Sequence, residues 1–164
     1  MNSQLKWKGE NVRGVGPLFN NSRFSMRDIL DGTSTTAFIG ERRGDLSRPP
    51  NSPVSYNLTP GQAFWSHGDG QFHVLASAYY KPNKCDRHTP QSLWGECIGT
   101  FSSLHPGGLL VCLMDGSVRF ISDTIDSADE AAIDAIPDIR SPGNVYGVWQ
   151  AICVINDGIV VGEF

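Results

Sequence analysis

The clearest hydrophobic pattern in the chain lies between residues 101 and 126. Leu109 to Met114 is an unbroken apolar run, Asp115-Gly116 follows, and Ser117 to Ser122 alternates. Two strand-like runs joined by Asp-Gly predict a β-hairpin, with both turn residues at positive φ. The unbroken run predicts a strand covered on both faces at the centre of a sheet. The alternating run predicts burial of Val118 and Phe120, with Ser117 and Arg119 turned outward. Ahead of the hairpin, His105-Pro106-Gly107-Gly108 reads as a turn, because Pro fixes φ and Gly accepts either sign.

The rest of the chain is more broken. Residues 1–23 are polar and rich in Gly and Asn, which predicts a loosely ordered lead-in to a single domain over 24–164. Ser25 to Leu30 predicts one helical turn, with Ser25 as cap and Asp28 three residues on. Thr35 to Arg42 is β-branched and aromatic and predicts a strand. Gln62 to Trp65 reads as a short turn or strand, and Phe72 to Tyr80 as a strand or extended core segment. Ser127 and Glu130 have capping-box spacing, so a helix is expected from Ala128 to Ile136, stopped by Pro137 and buried through Ile133 and Ile136. Val145 to Ile155 is apolar without a clear period and fits either strand or short helix. Ile159 to Gly162 predicts a last short strand. Two long irregular loops, Gly44–Pro60 and Lys81–Trp94, separate these elements. The fold class is therefore α+β: a mostly antiparallel β-sheet with a central hairpin at about 109–122 and one or two short helices.

Composition narrows the function. The 164 residues are 40% hydrophobic and 18% charged, enough apolar content for a sizeable core. Net charge is −4 and the pI is near 5.4. Nucleic acid is not an expected partner, since a phosphate backbone needs clustered Lys and Arg and Arg42-Arg43 is the only adjacent basic pair. No apolar run approaches the roughly 18 residues of a membrane span, and no export leader is visible. The chain is then either cytoplasmic or a piece of a longer exported protein.

The four cysteines form no Cys-x-x-Cys pair, which argues against a zinc ribbon. Cys85 and Cys97 flank a polar loop and can bridge in an oxidising compartment, which would stabilise the fold by roughly 3 kcal/mol in the chain-entropy model. The alternative is that all four are reduced. Cys112 and Cys153 lie in apolar runs and read as buried thiols.

Candidate chemistry sits in four places. His105 and Asp115 are separated by a strand's length, so they are expected at its opposite ends and not as a pair. His67, Asp69 and His73, with His88 and His105 nearby in type, could gather a divalent metal, or Asp69 a calcium ion. Helical His-x-x-x-His spacing and the EF-hand loop are both missing. Asp31-Gly32-Thr33-Ser34-Thr35-Thr36 with Glu41 offers hydroxyls and carboxylates to a sugar or a metal, or else engages its own backbone in an Asx-type turn. Ser34 lacks a nucleophile-elbow context. Trp65, Tyr80 and Trp94 border the loops and could stack on a sugar or anchor a partner; otherwise they are core.

Several segments carry a resemblance. His105, nine residues, then Asp115-Gly116 resembles the His-x9-Asp-Gly signature near the C-terminus of a large bacterial family of prepilin-like proteins, mostly of unassigned function. Asp31 to Glu41 resembles that family's DGTSNT-hydrophobic-GE segment, with Thr35 where Asn is usual. Phe19 to Arg27 resembles the lead-in to it, and Gly158 to Phe164 its closing GGEVVGEF. The resemblance runs from about residue 14 to the end. It implies that His105, Gly107, Gly108, Asp115, Gly116, Asp31, Gly32, Thr33, Ser34 and Glu41 are signature positions with a structural role. It further implies the globular part of a pilin-like or pseudopilin-like protein, periplasmic or at the cell surface. Such a protein would be non-enzymatic, without a cofactor, and engaged with protein partners in a surface or secretion-type assembly. The family's apolar N-terminal helix, its link to the membrane, is missing from this sequence. A carbohydrate- or peptide-binding module using the long loops is the second expectation, and a metal-dependent enzyme built on His67, Asp69, His73 and His105 the third.

Overall fold

The computed structural model describes residues 16–18, 23–42, 76–84, 100–136, 146–159 and 161–164. The long loops beyond Lys84 and Arg42, the Gln62–Trp65 segment, and most of the lead-in lie outside the described residues. Among the described residues the architecture is α+β: a three-stranded antiparallel sheet, two short helices and one 3-10 turn. Strand β1 is Ala37–Gly40, β2 is Gly108–Leu113 and β3 is Val118–Ser122, in the order β1-β2-β3. Helix α1 is Glu130–Asp134 and α2 is Val148–Ala151.

The central hairpin is present, with a different turn. Leu113 N–H bonds Ser117 O, Gly116 N–H bonds Leu113 O, and only Gly116 is left-handed, at φ 87°. This is a tight turn closed by a glycine bulge, which needs positive φ at one residue and not at two. Asp115 contributes its side chain instead: Oδ1 accepts the Ser117 N–H at 2.9 Å and hydroxyl at 2.7 Å.

The sheet buries one face. Ala37, Leu109, Val111, Leu113 and Ile121 pack under Phe101, Trp149, Ile152 and Cys153. Phe101 meets Trp149 edge-on at 5.2 Å between ring centroids, a favourable aromatic geometry. The expected phase of β3 is therefore reversed. Ile121 is buried, while Val118 and Phe120 are 62% and 50% exposed. The register explains it: Phe120 sits opposite Leu110 and Val118 opposite Cys112, whereas Ile121 faces Leu109. Arg119, opposite Val111, escapes burial by laying its guanidinium over the Phe164 ring. β2 is likewise covered on one face only, so Leu110 and Cys112 are partly exposed and Cys112 is not the buried thiol its apolar neighbours suggested.

β1 carries a bulge. Ala37 pairs with Leu113 but Ile39 pairs with Cys112, so two steps on β1 match one on β2. The extra residue reverses the side-chain alternation: Ala37 points into the core and Ile39 out of it. Gly40 returns to the core side, where a Cβ would come within 2.5 Å of the Phe101 ring.

Other expectations are corrected in detail. The 3-10 turn spans Met26–Asp28, with the Ser25 N–H and hydroxyl both donating to Asp28. α1 is capped by Asp129, which accepts from Ala132 N–H, and not by Ser127. The Val145–Ile155 segment contains α2, whose first amides bond the Asp126 carboxylate and carbonyl. Ile159 and residues 161–164 form no strand, and of the Phe72–Tyr80 segment the described part makes a single parallel bridge, Ser77 to Thr100.

Candidate functional site

The Asp31–Glu41 segment lies where three parts of the chain meet. At its start, the Asp31 carboxylate accepts the backbone N–H groups of Asp157 and Gly158, each at 2.9 Å. Asp157 is buried and also accepts from the Tyr146 hydroxyl and the Ile159 N–H. Burial, and the Asp31 charge beside it, push the Asp157 carboxyl above its usual value despite these bonds; burial and the same carboxylates raise the Tyr146 phenol. The expected Asx-type turn is thus replaced by a long-range clasp. The local carbonyls are bonded by Thr35 and Thr36, whose hydroxyls donate to Asp31 O and Gly32 O, and not by Thr33 or Ser34. Thr33 contributes its carbonyl, which accepts the Asp115 N–H at 3.1 Å. Gly32, at φ 96°, makes this loop geometry possible.

At the other end of the segment, the β1 bulge places Glu41 on the open side of the sheet. Its carboxylate accepts the Leu110 N–H at 2.8 Å and meets His105 Nε2 at 3.2 Å. Burial opposes ionisation of Glu41, but the Leu110 amide, the Ser103 hydroxyl and His105 together hold its carboxyl below the usual range. Ser103 and His105 both turn toward one carboxylate. A nucleophilic triad needs the imidazole between hydroxyl and acid, and this arrangement instead puts the acid in the middle. His105 precedes β2 and Asp115 follows it, so the six strand residues set them roughly 20 Å apart.

Gly107 is left-handed in the turn ahead of β2, at φ 81°. A Cβ on Gly108 would lie 2.1 Å from Ile121 O and 2.7 Å from the Phe120 ring, so the ring rests over the glycine. Gly116 closes the hairpin. The signature positions therefore divide into a clasp at Asp31, a carboxylate–imidazole pair at Glu41, and backbone turns.

The open face of the sheet lies between those ends. Ile39, Leu110, Cys112, Val118 and Phe120 form it, in the rows Ile39–Cys112–Val118 and Leu110–Phe120. Ile39 is 55% exposed and Leu110 37%.

Two polar side chains that sequence reasoning did not single out organise the interior. Asn83, the one left-handed non-glycine residue among those described, accepts from Ser103 N–H and donates to Asp123 Oδ1 and Gly108 O. Gln150, fully buried, accepts from Ala128 N–H and donates to Ala78 O and Ser127 Oγ. Their partners lie 20 or more residues away, so no local spacing marks them.

Against known proteins, residues 3–128 match a family described as a protein of unknown function, DUF1559. The chain belongs to this family. The DUF1559 match includes Asp31, Glu41, His105 and the whole hairpin, and stops before Tyr146, Gln150 and Asp157. No curated protein and no solved structure matches the chain.

Of the remaining candidates, Trp65, Trp94, His67, Asp69, His73, His88, Cys85 and Cys97 lie outside the described residues. Tyr80 is partly buried, edge-on to Tyr79 at 4.8 Å and beneath the Lys84 ammonium at 5.6 Å; its carbonyl accepts the Trp149 indole N–H. Among the described residues, no three His, Cys, Asp or Glu side chains gather as a metal site, and no helix is long and apolar enough to cross a membrane.

Proposed function

We propose that the chain is a non-enzymatic, extracytoplasmic assembly or display domain, the globular part of a pilin-like protein. The observation that carries this reading is the open face of the sheet. An antiparallel sheet with one solvated face ordinarily places polar residues there, whereas this face holds Ile39, Leu110, Val118 and Phe120 side by side. A contiguous apolar patch on a sheet face expected to be polar supports a docking role. The arrangement of the signature carboxylates supports the same reading, because Asp31, Glu41 and Asp115 bond the chain's own backbone. The resemblance of the His-x9-Asp-Gly spacing and the DGTST segment to the prepilin-like pattern supports the pilin-like relation and, with it, the extracytoplasmic location.

The experiment is protease shaving of intact cells, with fractionation and in-cell crosslinking of the native gene product. Cleavage from outside, and a high-mass crosslinked species lost in V118S/F120S, are expected. A cytoplasmic protein that stays monomeric in the cell would overturn the reading.

A further inference from the structure

The two edges of the sheet differ. β1 is bulged, and the outward N–H of Ala37 is bonded to Ile152 O at 2.6 Å. β3 pairs with β2 in unbroken register from Val118 to Ser122. The bonds from Leu113 N–H to Ser117 O and from Asp123 N–H to Gly107 O fix its phase, so Arg119 and Ile121 turn their backbone groups toward β2. Val118, Phe120 and Ser122 turn theirs away from the sheet. Among the described residues nothing bonds those outward backbone groups, except that Ser122 O accepts the Ile125 N–H. Natural proteins blunt an exposed edge with a bulge, a Pro, a charge or a cover, and an edge left bare is a template for one more strand. β3 has neither bulge nor Pro, and its one charged residue, Arg119, lays its guanidinium over Phe164.

We propose that the free edge of β3 pairs with the β3 edge of a second copy of this chain, antiparallel, about a two-fold axis at Phe120. This register uses every outward residue of both strands: Phe120 exchanges backbone bonds with Phe120 of the second copy, and Val118 with Ser122 of the second copy. It sets Arg119 opposite Ile121 of the second copy. A register centred on Arg119 would put two guanidiniums face to face, and like charges directly opposite are destabilising. On the open face, the Leu110–Phe120 row runs on into the Phe120–Leu110 row of the second copy, which covers the flank of a ring that is 50% exposed in the single chain. A foreign strand would have to bring such a row with it, whereas a second copy already carries it. The contact is isologous and closes at two chains. The inference rests on the docking role proposed above and names the partner.

The experiment follows the purified chain by sedimentation as its concentration is raised. Pairing of this length buries less than a standard stable interface, so the dimer is expected at high concentration, and 1 M salt should tighten it by screening the net charge of −4 on each copy. Phe120→Pro removes an outward N–H and leaves the bonds to β2 whole, so it should weaken association tenfold or more with the thermal melt in place. If that variant does not fold, F120K and F120E take its place. Each alone should stay monomeric, and an equimolar mixture should associate again, because the axis sets the two side chains opposite each other. Phe120→Cys should form a disulfide-linked dimer much faster than Ile39→Cys, which is equally exposed but lies on β1. A chain that stays monomeric up to about 1 mM, a dimer indifferent to Phe120→Pro, a mixture no more associated than its components, or equal crosslinking at the two positions overturns the proposal. These results are obtained on the purified chain and leave the cellular location to the shaving experiment, so each reading can fail alone.

Discussion

The carboxylate of Asp31 holds the backbone amide of Asp157 across 126 residues of sequence. With its second oxygen on Gly158 N–H it ties the turn before the C-terminal segment to the loop before β1. Charge-assisted bonds of this type are the stronger ones, though one of these is exposed. Asp31→Ala is expected to cost about 2–3 kcal/mol in urea unfolding. Asp31→Asn, which keeps one carbonyl acceptor, should cost about half as much. Equal losses in both variants would show that the two amides do not depend on the carboxylate.

Glu41 gives a pH-dependent expectation. Its folded carboxyl titrates below the ordinary glutamate value, so its contribution is present above about pH 4.5 and is lost as pH falls through the folded pKa. Glu41→Gln should therefore lower the melting temperature at pH 7, and the gap to the parent protein should narrow as the pH falls through the folded pKa. His105→Ala, which removes an exposed partner, should change stability by less than about 1 kcal/mol. A gap between parent and Glu41→Gln that stays constant down to the acid limit of the fold would rule out the ionised carboxylate as the source.

The glycines separate two kinds of constraint. At Gly116 a Cβ meets open space but φ is +87°, so Gly116→Ala should cost about 1 kcal/mol from backbone strain alone. At Gly147 and Gly108 a Cβ would lie 2.3 Å from Ser127 Cα and 2.1 Å from Ile121 O, and backbone cannot step aside as a flexible side chain can. Gly147→Ala and Gly108→Ala are expected to cost about 3 kcal/mol or more, in the range of severe overpacking. Chemical denaturation of the three variants checks the order.

How much of this was legible in the sequence differs from element to element. The hairpin was, because Asp-Gly between two strand-like runs leaves few alternatives. Its sidedness was not. Leu109 to Met114 is apolar at every position and so carries no phase, and β3 takes its phase from pairing with β2 rather than from its own alternation. The bulge in β1 is equally silent, yet it is what brings Glu41 to His105. A four-residue helix such as α2 is shorter than two turns and cannot display a period. The clasp, Asn83 and Gln150 all act through distant partners. Single substitutions test the sidedness directly. Ile121→Ala should cost about 2–4 kcal/mol, whereas Val118→Ala and Phe120→Ala, each half-exposed or more, should cost about 1 kcal/mol or less. The reverse order would restore the alternation read from the sequence.

The two described thiols should differ sharply in reactivity. Cys153 is buried under the sheet and its thiol is pushed up to about 12 by desolvation, so almost no thiolate forms at neutral pH. Cys112 lies on the open face, partly exposed beside Val118 and Ile39. Brief iodoacetamide treatment of the native protein, followed by peptide mapping, should label Cys112 and leave Cys153 unmodified until denaturant is added. The same map, run with and without reductant, reads whether Cys85 and Cys97 are joined. A partner docked on the open face would slow labelling at Cys112 and leave Cys153 as it was. Protection of Cys112 equal to that of Cys153 in the isolated chain would mean that the face is already covered.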